Sequence, residues 1–247
     1  MERERVLEVK DAAKRFRNGR GIKGVSLELS RGDVYGLFGP NGAGKTTLLK
    51  LITGLIRPDR GTVHLFGKPA ATRFEEAMSR VGCVIESADA YEFMSAYDNL
   101  KLAARFYPGI AAGRIDQALE EVGLAPYKKE KAGGFSLGMK QRLALAAALL
   151  PGPELVILDE PTNGLDIEGM VDIRRTIERL AREQGIAFII SSHMIGDMEK
   201  LVNRFGILQG GELIRQERLQ DLLPEGTTLE QYYMAQIQSK KEADAYA

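Results

Sequence analysis

GPNGAGKTT, Gly39 to Thr47, is the stretch on which the whole chain turns. Spelled out as Gly39, Pro40, Asn41, Gly42, Ala43, Gly44, Lys45, Thr46 and Thr47, it meets the spacing Gly-x4-Gly-Lys-Thr of a P-loop. A polyphosphate needs many donors around it and little side-chain bulk in the way. Gly39, Gly42 and Gly44 let the backbone curl so that successive N–H groups point inward, and the helix behind adds a favourable dipole. Lys45 supplies a point charge to the terminal phosphates, and the Thr46 hydroxyl can ligate Mg2+. The competing reading is an ordinary glycine turn before a helix. The flanks decide against it. VYGLFG at 34–39 is nearly all apolar, as a strand buried on both faces is, and Leu48, Leu51, Ile52 and Leu55 fall on one side of a following helix.

Working outward, VLEVKD at 6–11 and GVSLELS at 24–30 read as strands with a turn at Asn18-Gly19 between them. The turn Arg57-Pro58-Asp59-Arg60-Gly61 leads into a strand TVHLFG at 62–67. From Arg73 to Leu150 the pattern is mainly helical, marked by Leu100, Phe106, Ile115, Leu119, Val122 and Leu124 and broken at Pro108-Gly109. Parallel-sheet character returns in LVILD at 155–159 and AFIISS at 187–192. Between them lies a helix with Met170, Ile173, Ile177 and Leu180 on one face. Strands and helices alternating around a helical insert predict an α/β fold with a helical lobe. Near the end, Thr227 with Glu230 three residues on marks a helix start, and KKEADAYA at 240–247 reads as a frayed tail.

LVILDE at 155–160 is the companion of the P-loop. A buried strand delivers Asp159 to its C-terminal end, where ligands of such sheets bind, and Asp159 can hold Mg2+ through water. Glu160 is then placed to activate an attacking water as general base. A strand ending in a solvated acidic turn is the alternative, and pairing with the P-loop disfavours it. FSLGMKQR at 135–142 precedes the run LALAAALL. A serine and a glycine at a helix start make a second anion site, though Ser136 could equally serve as a plain helix cap.

With these motifs in this order, the chain resembles the ATP-binding cassette family over nearly its full length, FSLGMKQR standing for that family's signature sequence. The resemblance implies a P-loop NTPase domain of that type over residues 1–220. It would combine a mainly parallel core sheet, an N-terminal antiparallel β subdomain and a helical subdomain at about 87–150, with a C-terminal helix and tail at 221–247. It implies that PTNGLD at 161–166 sets Asp166 near a dimer partner and that His193 contacts the γ-phosphate. Phe16 occupies the place of the aromatic residue that stacks on adenine; a hydrophobic plug for the N-terminal hairpin is the other reading. His64 fits no motif and is taken as structural.

Two positions depart from the family pattern. Glu86, within VGCVIESADAYEF at 81–93, stands where glutamine is usual, and Met139 replaces the signature's glutamine. Both resemble the bacitracin-export and lantibiotic-immunity branch, which implies export of a peptide antibiotic. A third carboxylate beside Asp159 and Glu160 would need Mg2+ or a proton to offset the repulsion. Glu86 is therefore a candidate Mg2+ ligand, or else a solvated acid facing a membrane partner.

Composition bounds the rest. Thirty-four Lys+Arg against 34 Asp+Glu give zero net charge, against a general nucleic-acid binder but compatible with a local basic patch. One cysteine, Cys83, excludes an internal disulfide framework and fits a reducing compartment. The start MERERVLEVKD lacks the apolar stretch of a secretory signal, and no window approaches the roughly 20 apolar residues of a membrane span. The resemblance accordingly implies an ATP-hydrolysing subunit on the cytoplasmic face of the membrane. It would bind ATP and Mg2+ and work in a head-to-tail dimer with a second copy or a sister ATPase. In that dimer Ser136 and Gly138 of one chain close over the nucleotide of the other, and a separate transmembrane permease docks on the helical lobe and the Glu86 loop. A soluble ATPase switch acting on nucleic acid or ribosomes is the alternative. The absence of coiled-coil inserts and of a second cassette, with the neutral charge, counts against it. A regulatory module with little turnover is a third, disfavoured by Lys45, Asp159, Glu160 and His193.

Overall fold

Alternation along the first strands builds an antiparallel sheet. In β2 (Gly21–Ser30), Ile22, Val25, Leu27 and Leu29 are buried while Lys23, Ser26 and Glu28 are exposed. It pairs with β1 (Arg5–Arg15), followed in the order β2-β1-β4-β5 by β4 (Arg60–Leu65) and β5 (Lys68–Pro69). The computed structural model describes residues 4–87, 89–221 and 227–245, the last three as backbone only. Four parts of the sequence reading lie outside the described residues: the first three of the charged start, Ala88 in the Glu86 loop, 222–226, and the last two of the tail.

The continuous apolar runs form a second sheet in the order β10 (Glu212–Arg218), β9 (Arg204–Gln209), β3 (Val34–Phe38), β8 (Ala187–Ser192), β7 (Leu155–Asp159) and β6 (Val81–Val84). β3 and β8 are buried at every position, as strands covered on both faces are. They run parallel to each other, to β7 and to β9; β10 returns antiparallel at the edge. The C-terminal ends of β3, β7 and β8 therefore open on one side of the sheet, which is where the chemistry collects.

The opposite edge corrects the expectation of a mainly helical stretch after Arg73. Val81–Val84 is a sheet strand, β6, parallel to β7. Four residues that include a glycine show no usable periodicity. Gly82 is nonetheless required, since a Cβ there would lie 2.2 Å from the Ala148 carbonyl oxygen. Its absence lets α5 (Leu137–Leu149) pack directly on the edge strand. The short α2 (Phe74–Met78) lies against β5 and β6, and the remaining lobe comprises α3 (Ala96–Ala104) and α4 (Arg114–Glu121). Leu100, Leu119, Leu143 and Leu149 join the core cluster that continues under the sheet.

α1 (Lys45–Ile52) buries Leu48, Leu49, Leu51 and Ile52 between the two sheets. Leu55, expected on the same face, lies beyond the helix and is exposed. The helix stops because Gly54 takes φ 70°, and its N–H bonds back to the Leu51 carbonyl. α6 (Ile167–Gln184) buries Ile173, Ile177 and Leu180 as expected, with Met170 half-buried. After the short α7 (Ile195–Met198), α8 (Leu229–Ala245) closes the described chain, seating Leu229 and Ile237 in the core and Tyr232 edge-on against Phe205. Its cap corrects the sequence expectation by one residue. Thr228, not Thr227, makes the reciprocal pair: Gln231 N–H donates to Thr228 Oγ1 and Thr228 N–H to Gln231 Oε1. Nor does the chain fray at 240, since α8 continues to Ala245 and Lys240 reaches Glu212 at 3.0 Å.

Candidate functional site

The turn from β3 into α1 lines a cleft of about 720 Å3 with residues Asn41 to Thr47. Phe16, Asn18, Arg20, Gly21, Lys50, Glu86 and Glu160 complete the lining. Gly39 and Pro40 lie at the base of the loop, outside that lining. Gly39 is needed for packing, because a Cβ would sit 2.3 Å from the Leu208 carbonyl oxygen. Gly42 is different: its φ is 79°, yet nothing lies within 4 Å of the missing Cβ. It keeps the mouth open for a ligand. Lys45 is buried, donates from Nζ to the Gly39 carbonyl at 2.8 Å, and pairs with Glu160 Oε1 at 3.2 Å.

Thr46, Asp159 and Ser191 form one hydrogen-bonded group. Thr46 Oγ1 donates to Asp159 Oδ2 at 2.8 Å and Ser191 Oγ to Asp159 Oδ1 at 2.5 Å. The Ser191 hydroxyl also accepts the Glu160 N–H at 2.9 Å. Glu160 has φ 49°, a left-handed conformation that costs a side-chain-bearing residue about 1 kcal/mol. That turn brings its carboxylate back between two partners. Oε1 faces Lys45, while Oε2 lies 2.8 Å from His193 Nδ1 and accepts the His193 N–H at 3.3 Å. An ionised carboxylate there favours a proton on Nδ1, so that His193 donates to Glu160. The adjacent oxygens of Thr46 and Asp159 are hard donors of the kind Mg2+ takes when phosphates and water supply the rest.

Glu86 does not crowd these groups as the sequence suggested. It lines the same cleft, but its Oε1 is 2.5 Å from Lys50 Nζ and its side chain is largely exposed. Lysine offsets its charge, where Mg2+ or a proton was expected. No three His, Cys, Asp or Glu side chains among the described residues cluster closely enough to hold a metal ion. Phe16 lines the cleft and is 39% exposed there. Its loop is clamped from below: Asp59 accepts the Arg15 N–H at 2.8 Å and the Lys14 ammonium at 2.7 Å. Those bonds, the backbone one foremost, hold the Asp59 carboxyl below its usual range.

Ser136 and Gly138 stand outside the cleft lining. Ser136 does cap α5, accepting the Met139 N–H at 3.2 Å. Asp166 caps α6 alongside, accepting the Gly169 N–H at 2.8 Å, and a Cβ on Gly138 would meet the Gly169 Cα at 3.5 Å. The two turns thus pack side by side, flanked by the exposed Leu137 and Ile167. His64, read as structural, sits on β4 with Nδ1 3.9 Å from Glu8. Three site residues went unread in the sequence. Ser191 is a hydroxyl in register with Asp159 within a wholly buried strand; that oddity is the signal. Lys50 carried none beyond its charge. Arg20 sits in a basic run that its neighbours make conspicuous.

Residues 22–163 match the family model described as ABC transporter. Over 238 residues, covering 96% of this chain and 77% of the relative, the chain is 39% identical to the uncharacterized ABC transporter ATP-binding protein YhcH of Bacillus subtilis. It is 40% identical over 211 residues to the bacitracin transport ATP-binding protein BcrA of Bacillus licheniformis, covering 85% and 69%. To the lantibiotic transport ATP-binding protein SrtF of Streptococcus pyogenes it is 36% identical over 209 residues, covering 85% and 89%. Among solved structures, an ATP-binding subunit of an ABC transporter superposes with a TM-score of 0.82 at 28% identity, covering 94% of this chain and 99% of that one. A dimeric ATP-binding cassette in a post-hydrolysis state with ADP and Pi gives 0.76 at 26% identity, covering 86% and 98%.

Proposed function

The chain belongs to the ABC transporter family as an ATP-binding subunit, in a class of domain that hydrolyses ATP, and from this we propose that it couples hydrolysis to export of a peptide antibiotic through a separate transmembrane permease. The observation that carries the reading is Glu160, held between Lys45 and His193 at the mouth of the P-loop cleft. We take residues 1–220 as the ATP-binding domain, with its helical lobe at about 87–150, and 221–247 as an appended helix and tail.

ATP lies with its phosphates along Gly42 to Thr47 and its adenine on Phe16. Lys45 exchanges Glu160 for the phosphates, where it offsets more charge. Glu160, released from the ammonium but still held by His193, accepts the proton of the attacking water. His193 orients that carboxylate and reaches toward the γ-phosphate. Thr46 and Asp159 would hold Mg2+, and Glu86 could join them only by giving up its pairing with Lys50. When bound, the ion neutralises charge on the phosphate oxygens and orients them. The Ser136–Gly138 turn, lying outside its own chain's cleft, closes over the nucleotide of a second subunit, a copy of this chain or a sister ATPase.

The export reading is supported by the transport roles in the names of BcrA and SrtF. No described helix is long and apolar enough to cross a membrane; on this reading the subunit docks on the cytoplasmic side of a separate permease. The soluble switch on nucleic acid or ribosomes is not favoured. Purification from native membranes tests this: the chain is expected to come with a multi-span membrane protein. Recovery with ribosomes or DNA alone would overturn the transporter reading.

A further inference from the structure

Residues 14–23, KRFRNGRGIK, hold five cations and no acid in a chain whose total charge is zero. Folding gathers four of them. Lys14, Arg15, Arg20 and Lys23 line a second cleft of about 470 Å3, with no acidic residue in its lining. Asp59 pairs with Lys14 at 2.7 Å and Glu212 with Lys23 at 3.4 Å, both from outside it. The guanidinium groups of Arg15 and Arg20 have no acidic partner among the described residues. Glycine backbone makes part of its lining: a Cβ on Gly211 would lie 2.5 Å from the Gly21 carbonyl oxygen, so the two strands' turns touch.

Cations on a solvated face spread apart; these converge on a concavity. Its volume is in the range of small-molecule sites, which run roughly 300–1,000 Å3 and are mostly apolar. Here the lining is basic, and two unpaired guanidinium forks match phosphate oxygens bidentately. We propose that this cleft is a second anion site, taking a small phosphorylated molecule while ATP occupies the first. Arg20, Gly21 and Gly42 line both clefts. An anion in the second draws on the Arg20 charge and weakens ATP by the same factor by which ATP weakens it, because such coupling is reciprocal. The coupling rests on the first cleft being the ATP site; the anion site itself does not.

Calorimetric titration with sodium pyrophosphate, with the first cleft saturated by a non-hydrolysable ATP analogue and Mg2+, reads the site directly. One further pyrophosphate per chain is expected. The double variant Arg15→Gln/Lys23→Gln should weaken it at least tenfold while the analogue's affinity stays within twofold. The same titration on Lys45→Ala, whose P-loop has lost its phosphate charge, should retain the second-cleft isotherm. No pyrophosphate binding in either background, or undiminished binding by the double variant, would overturn the proposal. Failure of wild-type chain to bind the analogue, with the second isotherm intact, would instead count against the ATP reading alone. Capture on phosphatidylglycerol vesicles that pyrophosphate does not reverse would assign the cations to a lipid surface and sink the small-molecule site.

Discussion

Gly39 and Gly42 belong to one motif but serve different ends, and substitution separates them. Gly42→Ala meets no neighbour and carries only the left-handed strain, about 1 kcal/mol of stability. Gly39→Ala drives a methyl into the Leu208 carbonyl and should cost about 3 kcal/mol. Urea denaturation of the two variants checks the contrast; equal losses would mean the loop base is looser than it looks. At this scale the sequence was legible where chemistry demands a residue type at a fixed local spacing. Lys45, Thr46, Asp159, Glu160 and His193 were each identifiable, and the fold gathers them into two hydrogen-bonded groups, Thr46 with Asp159 and Glu160 with Lys45 and His193, joined through Ser191. What stayed hidden was pairing across long separations. Nothing local links Lys50 to Glu86 across 36 positions, or Ser191 to Asp159 across 32. So the carboxylate at Glu86 was visible and its lysine was not.

Elements were legible by periodicity and misplaced at their ends. The buried strands announce themselves as apolar runs, whereas β6 is four residues long and owes its place to a glycine that only packing against α5 explains. The start of α8 shows the limit sharply, since Thr227-Thr228 offers two candidate caps one residue apart. Thr228→Ala should cost about 1 kcal/mol in thermal or urea unfolding, and Thr227→Ala less than half of that. The reverse ranking would contradict the observed cap. The hairpin that presents Phe16 depends likewise on an element outside it, the turn carrying Asp59. Its lowered pKa means that the clamp is fully present above the unfolded carboxylate value and is lost as pH falls through the folded one. The stability difference between wild type and Asp59→Asn should therefore be level above pH 5 and shrink toward zero in stronger acid. A difference that grew on acidification would contradict the assignment.

The molecule as a whole carries two glycine-bearing helix starts, the P-loop in its cleft and the Ser136-capped start of α5 outside that cleft's lining. On the proposed reading two chains meet head to tail so that both serve one nucleotide, and ATP bound between them would stabilise the pair; a ligand at a thousandfold excess over its Kd contributes about 4 kcal/mol. Zero net charge, which seemed to describe a featureless surface, divides into a basic hairpin beside the nucleotide cleft and carboxylates within it. The cooperative cycle of closure and hydrolysis is the central claim, and Glu160 is where it can be stopped. Light-scattering size-exclusion chromatography of Glu160→Gln with ATP and Mg2+ tests it most directly. The account predicts a stable dimer that keeps ATP unhydrolysed in its peak. A monomer, or a dimer peak containing only ADP, would contradict it.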